Sequence, residues 1–345
     1  MPLSASALLN ITRAPGAQYI LVNEKETLFE CNAGFADILT ASPVIQETTF
    51  NNFSVTKTAT AAAALLLVEQ GKIKLTDEVN PFFPRYRFTY PFTLQQLISH
   101  QAGFANPIPV SWVHLPEEEE SFDEEKFITE LVSNNANLKY KPGTKFRYSS
   151  VGYLLLSQLI EKLTGTGYVD FVTKNILSKI SIGSLGFEIP NQNLQAKGYH
   201  PKYSFSNLIL GLLLDRKKFI AGSEGSWIAF KNFYLNGKAY GGFIGNATGL
   251  SSYLRLFLSN LIFKNKETED LMFTEQKGGM TLGWFTGQLN GEQYVCHAGG
   301  GGGYYCEIRI YPDRKIASAL TCNRSGFSDQ RLLNKIDAYF LSALR

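Results

Sequence analysis

Cysteine is scarce. The chain of 345 residues has four, Cys31, Cys296, Cys306 and Cys322, with no C-x-x-C pair and no zinc-ligand spacing. That number cannot build a disulfide framework in so long a chain, and a reduced, cytosolic protein is the default. Cys296 and Cys306 flank a glycine turn symmetrically, so a hairpin could bring them face to face. Histidine is equally rare: His100, His114, His200 and His297 are scattered, none in H-x-H or H-E-x-x-H spacing, which makes a metal unexpected; no organic cofactor is expected either. Charge of one sign is lacking too, because 33 Lys and Arg against 30 Asp and Glu leave a net +3. Neither nucleic acid nor a membrane surface is an expected partner on that balance. The first cation is Arg13, and the apolar runs Ala61–Val68 and Leu208–Leu214 are too short to span a bilayer, so neither a signal peptide nor a membrane span is predicted. The chain as it stands reads as cytoplasmic, or as periplasmic or secreted if a signal has been removed. Oligomeric state has no signature in the sequence.

What the chain has is apolar material: 44% hydrophobic and 13% aromatic residues, enough for a large core without staples. Ala17–Val22 and Leu28–Ala33 read as a hairpin around Asn23–Glu26. Ala61, Ala64, Leu65 and Val68 mark a helix of about four turns from Ser54, with Gly71 as its C-cap. Val151–Leu163 is a second helix, ended by Gly165. Strand patterns return at Thr281–Leu289, Gln293–Cys296, Tyr304–Tyr311 and Ile316–Cys322, and a last helix carries Leu332, Leu333, Ile336, Phe340 and Leu344 behind a possible N-cap at Ser328. Strands at both ends around a helical middle predict an α/β (α+β) chain. One antiparallel sheet flanked by helices would be built from 1–82 and 236–345, with an all-helical domain, 83–235, inserted. The acidic run Glu117–Glu120 reads as a solvated surface without chemistry.

Ser54-Val55-Thr56-Lys57 opens the alanine-rich helix. Residues three apart share a helix face, so the Ser54 hydroxyl and Lys57 amine can meet. A lysine kept out of water loses its proton more readily and can then accept one from serine. Alone the pattern is weak, since a helix-start serine and a solvated lysine make the same spelling. Tyr148-Ser149-Ser150 and His297-Ala298-Gly299-Gly300 add to it.

With these three motifs in order, the chain resembles the penicillin-recognising serine hydrolases: serine β-lactamases, D-Ala-D-Ala peptidases and related esterases. The likeness runs through Phe50–Lys57, Glu69–Val79, Leu97–Gly103, Phe146–Tyr153, Tyr240–Gly242 and His297–Pro312. It implies a β-lactamase/transpeptidase-like fold with its site in the cleft between the sheet and the inserted domain. It also implies that Ser54 forms an acyl-enzyme, that Lys57 and Tyr148 relay the proton, and that the N–H groups of Ser54 and Gly300 form the oxyanion hole. Ser150, His297, Ala298, Gly299 and Gly300 would line the substrate side. The resemblance departs from the family where Ser150 replaces the usual asparagine and where Ala298 lacks a hydroxyl beside a His297 only partly charged near neutral pH. These changes weaken the grip on an amide bearing a free carboxylate. An esterase or D-amino-acid peptidase type is therefore expected over an efficient β-lactamase, with a small ester, amide or β-lactam as substrate.

Three other readings compete. Ala221-Gly222-Ser223-Glu224-Gly225 nearly matches a nucleophile elbow but lacks parallel β-α units around it. The run Gly299–Gly303 leads into a strand instead of a helix N-terminus, which argues against a phosphate loop. A binder, sensor or assembly protein that keeps the fold with little turnover is the rival from another class; joint retention of Ser54, Lys57 and Tyr148 argues against it.

Overall fold

In the computed structural model, which describes residues 3–180, 184–204, 214–327, 329 and 331–342, the N-terminal helix α1 (Ala5–Thr12) leads into β1 (Gly16–Asn23) and β2 (Thr27–Asp37). The Asn23 side chain accepts from the N–H groups of Lys25 and Glu26, both at 2.8 Å, and so closes the expected hairpin turn. A short edge strand β3 (Ser42–Pro43) and β4 (Phe50–Phe53) precede α2 (Thr56–Glu69). The sequence predicts an apolar stripe on α2, but twelve of its residues, from Thr56 to Leu67, are buried on every side. A helix packed all round needs small residues to admit its neighbours, and the alanines of 59–64 supply them. Its C-terminus is the expected one: Gly71, at φ 71°, donates to the Val68 carbonyl at 3.0 Å.

The stretch 83–235 holds α3 (Leu94–Ile98), β5 (Val113–His114), α4 (Glu124–Asn134), α5 (Ser150–Thr164) and α6 (Tyr168–Asn175). The short strand β6 (Leu185–Gly186) follows, and then the segment departs from the expected all-helical pattern. There β7 (Tyr199–Pro201), β8 (Ile220–Glu224) and β9 (Trp227–Phe230) form a small antiparallel sheet in the order β7-β9-β8, and β10 (Tyr234–Leu235) pairs with β5. These strands are too short to show a period of two in sequence. The acidic run is also less solvated than its spelling suggests. Glu118 pairs with Lys218 at 2.6 Å, while Glu119 pairs with His114 at 2.6 Å and Lys238 at 3.0 Å.

After β11 (Phe243–Gly245) and the helix Ala247–Leu258, the chain returns as β12 (Phe285–Leu289), β13 (Glu292–Gly301), β14 (Tyr304–Tyr311) and β15 (Ile316–Cys322), closing with the helix Leu333–Leu341. The seven-stranded antiparallel sheet runs β12-β13-β14-β15-β1-β2-β3, so the last strand lies beside the first and both ends of the chain build one sheet, as predicted. β12 is shorter than expected because Gly283, at φ 95°, turns the chain where an added Cβ would lie 2.4 Å from the Ala61 Cβ. The predicted N-cap Ser328 and the apolar Leu344 lie outside the described residues, as does most of the run Leu208–Leu214.

Side chains alternate across this sheet. Ile20, Val295, Cys306, Ile308 and Ala319 face the large core that contains α2 and α5. Tyr19, Tyr294, Cys296, Tyr305 and Cys322 face the terminal helices. The same alternation settles the cysteines. Cys296 pairs in register with Arg309 and Cys306 with Gly299, because the turn is centred past Gly301, and the two free thiols point to opposite faces. Their symmetry about the glycines does not make them partners.

Candidate active site

Ser54 sits half-buried on the turn between β4 and α2. Phe53 ahead of it adopts φ 47°, a left-handed conformation that is costly for a bulky residue and holds only where surroundings enforce it. The enforcement is visible. Thr56 Oγ1 donates to the Phe53 carbonyl at 2.7 Å and accepts from the Phe243 N–H at 2.8 Å, while β13 presses on the other side. An added Cβ at Gly299 would meet the Asn52 carbonyl oxygen at 2.4 Å and the Ser54 nitrogen at 2.6 Å. Only glycine lets the strand approach the serine turn so closely.

One helical turn on, Lys57 is fully buried, its Nζ 3.1 Å from Ser54 Oγ and donating to the Tyr240 carbonyl at 2.6 Å. The same nitrogen lies over the rings of Tyr148, Tyr240 and Tyr153 at 4.9, 5.3 and 5.6 Å from their centroids. No carboxylate among the described residues pairs with it, and burial holds its pKa well below the ordinary lysine value. Tyr148 reaches the serine from the insert side, just before α5. Its phenol is driven above the ordinary value by burial, and a hydrogen bond with Ser54 offsets part of that rise. Ser54 Oγ therefore lies between an amine biased toward neutrality and a phenol that keeps its proton.

The third motif arrives on β13. His297, on the inner face, is buried, donates through Nδ1 to the Ala298 carbonyl at 2.8 Å and has its ring 6.3 Å from that of Tyr148. Burial first, and repulsion from Lys57 second, draw its pKa down to about 3. The partial charge expected near neutral pH is thus absent: the imidazole is neutral, with Nε2 bare. Ala298 packs against the outer-face cluster, away from Lys57. Ser150 is buried as the first residue of α5, its N–H donating to Asn106 Oδ1 at 3.0 Å, while Ser149 caps the helix.

A cleft of about 740 Å³ joins these groups, lined by Ser54, Tyr148, Ser150, His297, Ala298, Gly299 and Gly300 among others. The candidate catalytic and substrate-side residues named with the resemblance, all except the buried Lys57, therefore border one cavity. The rest of the lining is largely aromatic and aliphatic, including Phe53, Phe146, Phe233, Phe285 and Tyr304; among the described lining residues Arg331 is the one formally charged side chain. Sequence reasoning missed Tyr240, whose backbone carbonyl anchors Lys57, and Asn106, which holds the start of α5. Tyr240 left a trace in Tyr240–Gly242; Asn106 left none. Ser223, the competing serine, is exposed on β8 in an antiparallel hairpin with β9, opposite Ile228, and has no elbow geometry. No helix among the described residues is long and apolar enough to cross a membrane.

The Beta-lactamase family pattern matches residues 5–340. Among curated proteins the chain is similar to Protein flp of Staphylococcus aureus (strain N315), at 25% identity over 185 residues. That stretch covers 51% of this chain and 36% of the relative, so the chain matches only about a third of that protein's length. Among solved structures it superposes on the octameric penicillin-binding protein homologue from Pyrococcus abyssi with a TM-score of 0.79 at 22% identity, covering 99% of this chain and 76% of that one. The D-amino acid amidase from Ochrobactrum anthropi SV3 gives a TM-score of 0.77 at 16% identity, with 99% of each chain covered. At these identities the two structures establish a shared fold.

Proposed function

The chain belongs to the Beta-lactamase family and has the fold of its serine hydrolases, and from that premise we propose that it hydrolyses neutral esters, and amides of D-amino-acid type more slowly, through an acyl-enzyme on Ser54. The observation that carries the reading is the placement of Ser54 Oγ between Lys57 Nζ, at 3.1 Å, and the Tyr148 phenol. Ser54 Oγ attacks the substrate carbonyl carbon, its proton passes to the Lys57 amine, and the carbonyl oxygen takes the negative charge beside the N–H groups of Ser54 and Gly300. Tyr148 relays the proton to the departing alkoxide or amine as the carbon–oxygen or carbon–nitrogen bond breaks. Water then repeats the attack, and the acyl group leaves as the acid.

Substrate preference follows from the cleft wall. A neutral His297 offers no cation to a substrate carboxylate where the family's third motif grips one, and the lining favours apolar groups. The segment 83–235 supplies Tyr148, Ser150 and wall residues such as Phe146 and Phe233, and the segments 1–82 and 236–345 supply Ser54, Lys57, His297 and the glycines, so the reaction occurs where the two meet. Short p-nitrophenyl esters, nitrocefin and a D-Ala-D-Ala peptide, assayed side by side, test the assignment. Ester turnover is expected to exceed that of both others, and nitrocefin outpacing the esters overturns it.

A further inference from the structure

His100, on the turn after α3, reaches the Tyr148 segment through both its backbone and its ring. The Arg147 N–H donates to the His100 carbonyl at 2.9 Å, and the Ser149 N–H donates to His100 Nδ1 at 3.1 Å. One residue thus holds the Phe146–Arg147 peptide and the Tyr148–Ser149 peptide, one on each side of the Arg147–Tyr148 link. Its imidazole also lies against the Tyr148 ring, centroids 4.5 Å apart, and against Tyr153 at 4.9 Å, whose phenol is tied to the Ile98 carbonyl at 2.8 Å. Offering a carbonyl and a ring nitrogen to peptides two apart requires the unusual backbone His100 adopts, φ 57°. Because a backbone N–H can only donate, Nδ1 must be bare and the proton sits on Nε2. The groups facing the ring are Lys57 from α2, His297 from β13 and the phenols of Tyr148 and Tyr153. Burial, with Lys57 and His297 adding to it, holds His100 neutral, so the accepting lone pair persists through the working pH range.

We infer that His100 is the positioning residue that sets the Tyr148 phenol against Ser54, and that its side chain affects catalysis only through Tyr148. The inference rests on the reading of Tyr148 as proton relay. A double-mutant cycle separates the two claims. With p-nitrophenyl acetate, His100→Phe keeps the ring but removes the acceptor, and should lower kcat at least about tenfold while KM stays within about twofold. In a Tyr148→Phe background the same change should alter kcat by less than about twofold. His100→Asn restores an acceptor at the δ position and tolerates φ near 57°, so it should recover most of the rate. If His100→Phe fails to fold by circular dichroism, His100→Gln, whose acceptor is displaced by one bond, replaces it in the cycle with the same expectations. Equal losses in both backgrounds, or no loss in the wild-type background, overturn the positioning role alone. A Tyr148→Phe enzyme with wild-type kcat overturns the relay and the positioning role together.

Discussion

Both faces of the main sheet bury charge, and they resolve it in opposite ways. On the outer face Arg309, fully buried, makes two bonds to Glu307 Oε1, at 2.9 and 2.6 Å, and Glu307 Oε2 accepts from Tyr305 and the Leu333 N–H, both at 2.9 Å. Asp337 beside them accepts from Tyr19, Tyr311 and Ser318 at 2.9, 2.7 and 2.8 Å. On the inner face Lys57 is just as buried but meets only a carbonyl, a hydroxyl and ring faces. The cost of removing an ion from water is similar on both sides; what differs is whether an opposite charge offsets it. Where it is offset the groups stay paired, and the network clamps the terminal helix to the sheet. Where it is not, burial biases the amine toward losing its proton, the condition a base requires. Burial by itself does not distinguish a structural charge from a reactive one; the partner does.

The largest expected effect is on the inner face. Ser54→Ala should abolish both turnover and labelling by a fluorophosphonate probe, and labelling that survives would remove Ser54 as the nucleophile. Next, Lys57→Met and Tyr148→Phe should each lower kcat/KM at least about a hundredfold, as expected for lost proton transfer. Lys57→Met should at the same time keep or raise the melting temperature, because it removes an unpaired buried amine. That gain has a pH dependence of fixed sign. The folded pKa of Lys57 lies below that of the unfolded chain, so the penalty on folding grows as pH falls from 10.5 to the folded pKa and is constant below it. The advantage of Lys57→Met in thermal melts should therefore shrink as pH rises toward 10.5.

Arg309→Met tests the other face, where removing one member of a paired set should destabilise the fold by about 3–5 kcal/mol while leaving kcat per folded molecule unchanged. A loss of activity without a loss of stability there would erase the contrast between the faces. The smallest effects concern pH. In the proposed mechanism the neutral amine is the working form, so kcat/KM should fall as pH drops through the depressed Lys57 pKa. His297, already neutral down to about 3, should add no limb near 6.5. His297→Gln should leave the acid limb in place, and a limb that moves with it would make His297 the base.

Much of this was legible in sequence because some signals are local. Ser54 and Lys57 are three residues apart, Gly165 ends α5 in the left-handed conformation a C-cap demands, and β14 and β15 are short apolar-rich runs bounded by glycine, Pro312-Asp313 and asparagine. Signals that depend on register or on a distant neighbour were not. Cys296 and Cys306 look matched until the turn is placed, since one residue of shift moves a side chain to the other face. Glu118 and Glu119 look solvated until Lys218 and Lys238 come to meet them. His100 shows no sign in sequence of the contacts it makes once Arg147 and Ser149 fold back onto it.

The sequence by itself determined the family resemblance, the order of the three motifs and the sheet shared by both ends, because hydrophobic period, caps and short motifs act over a few residues. Only the tertiary structure decided what those residues are chemically. The Lys57 amine is biased toward losing its proton and His297 toward neutrality because of what surrounds them and how little water reaches them. Those conditions are set by residues up to hundreds of positions away, such as Tyr240 behind the lysine and Gly299 against the serine turn.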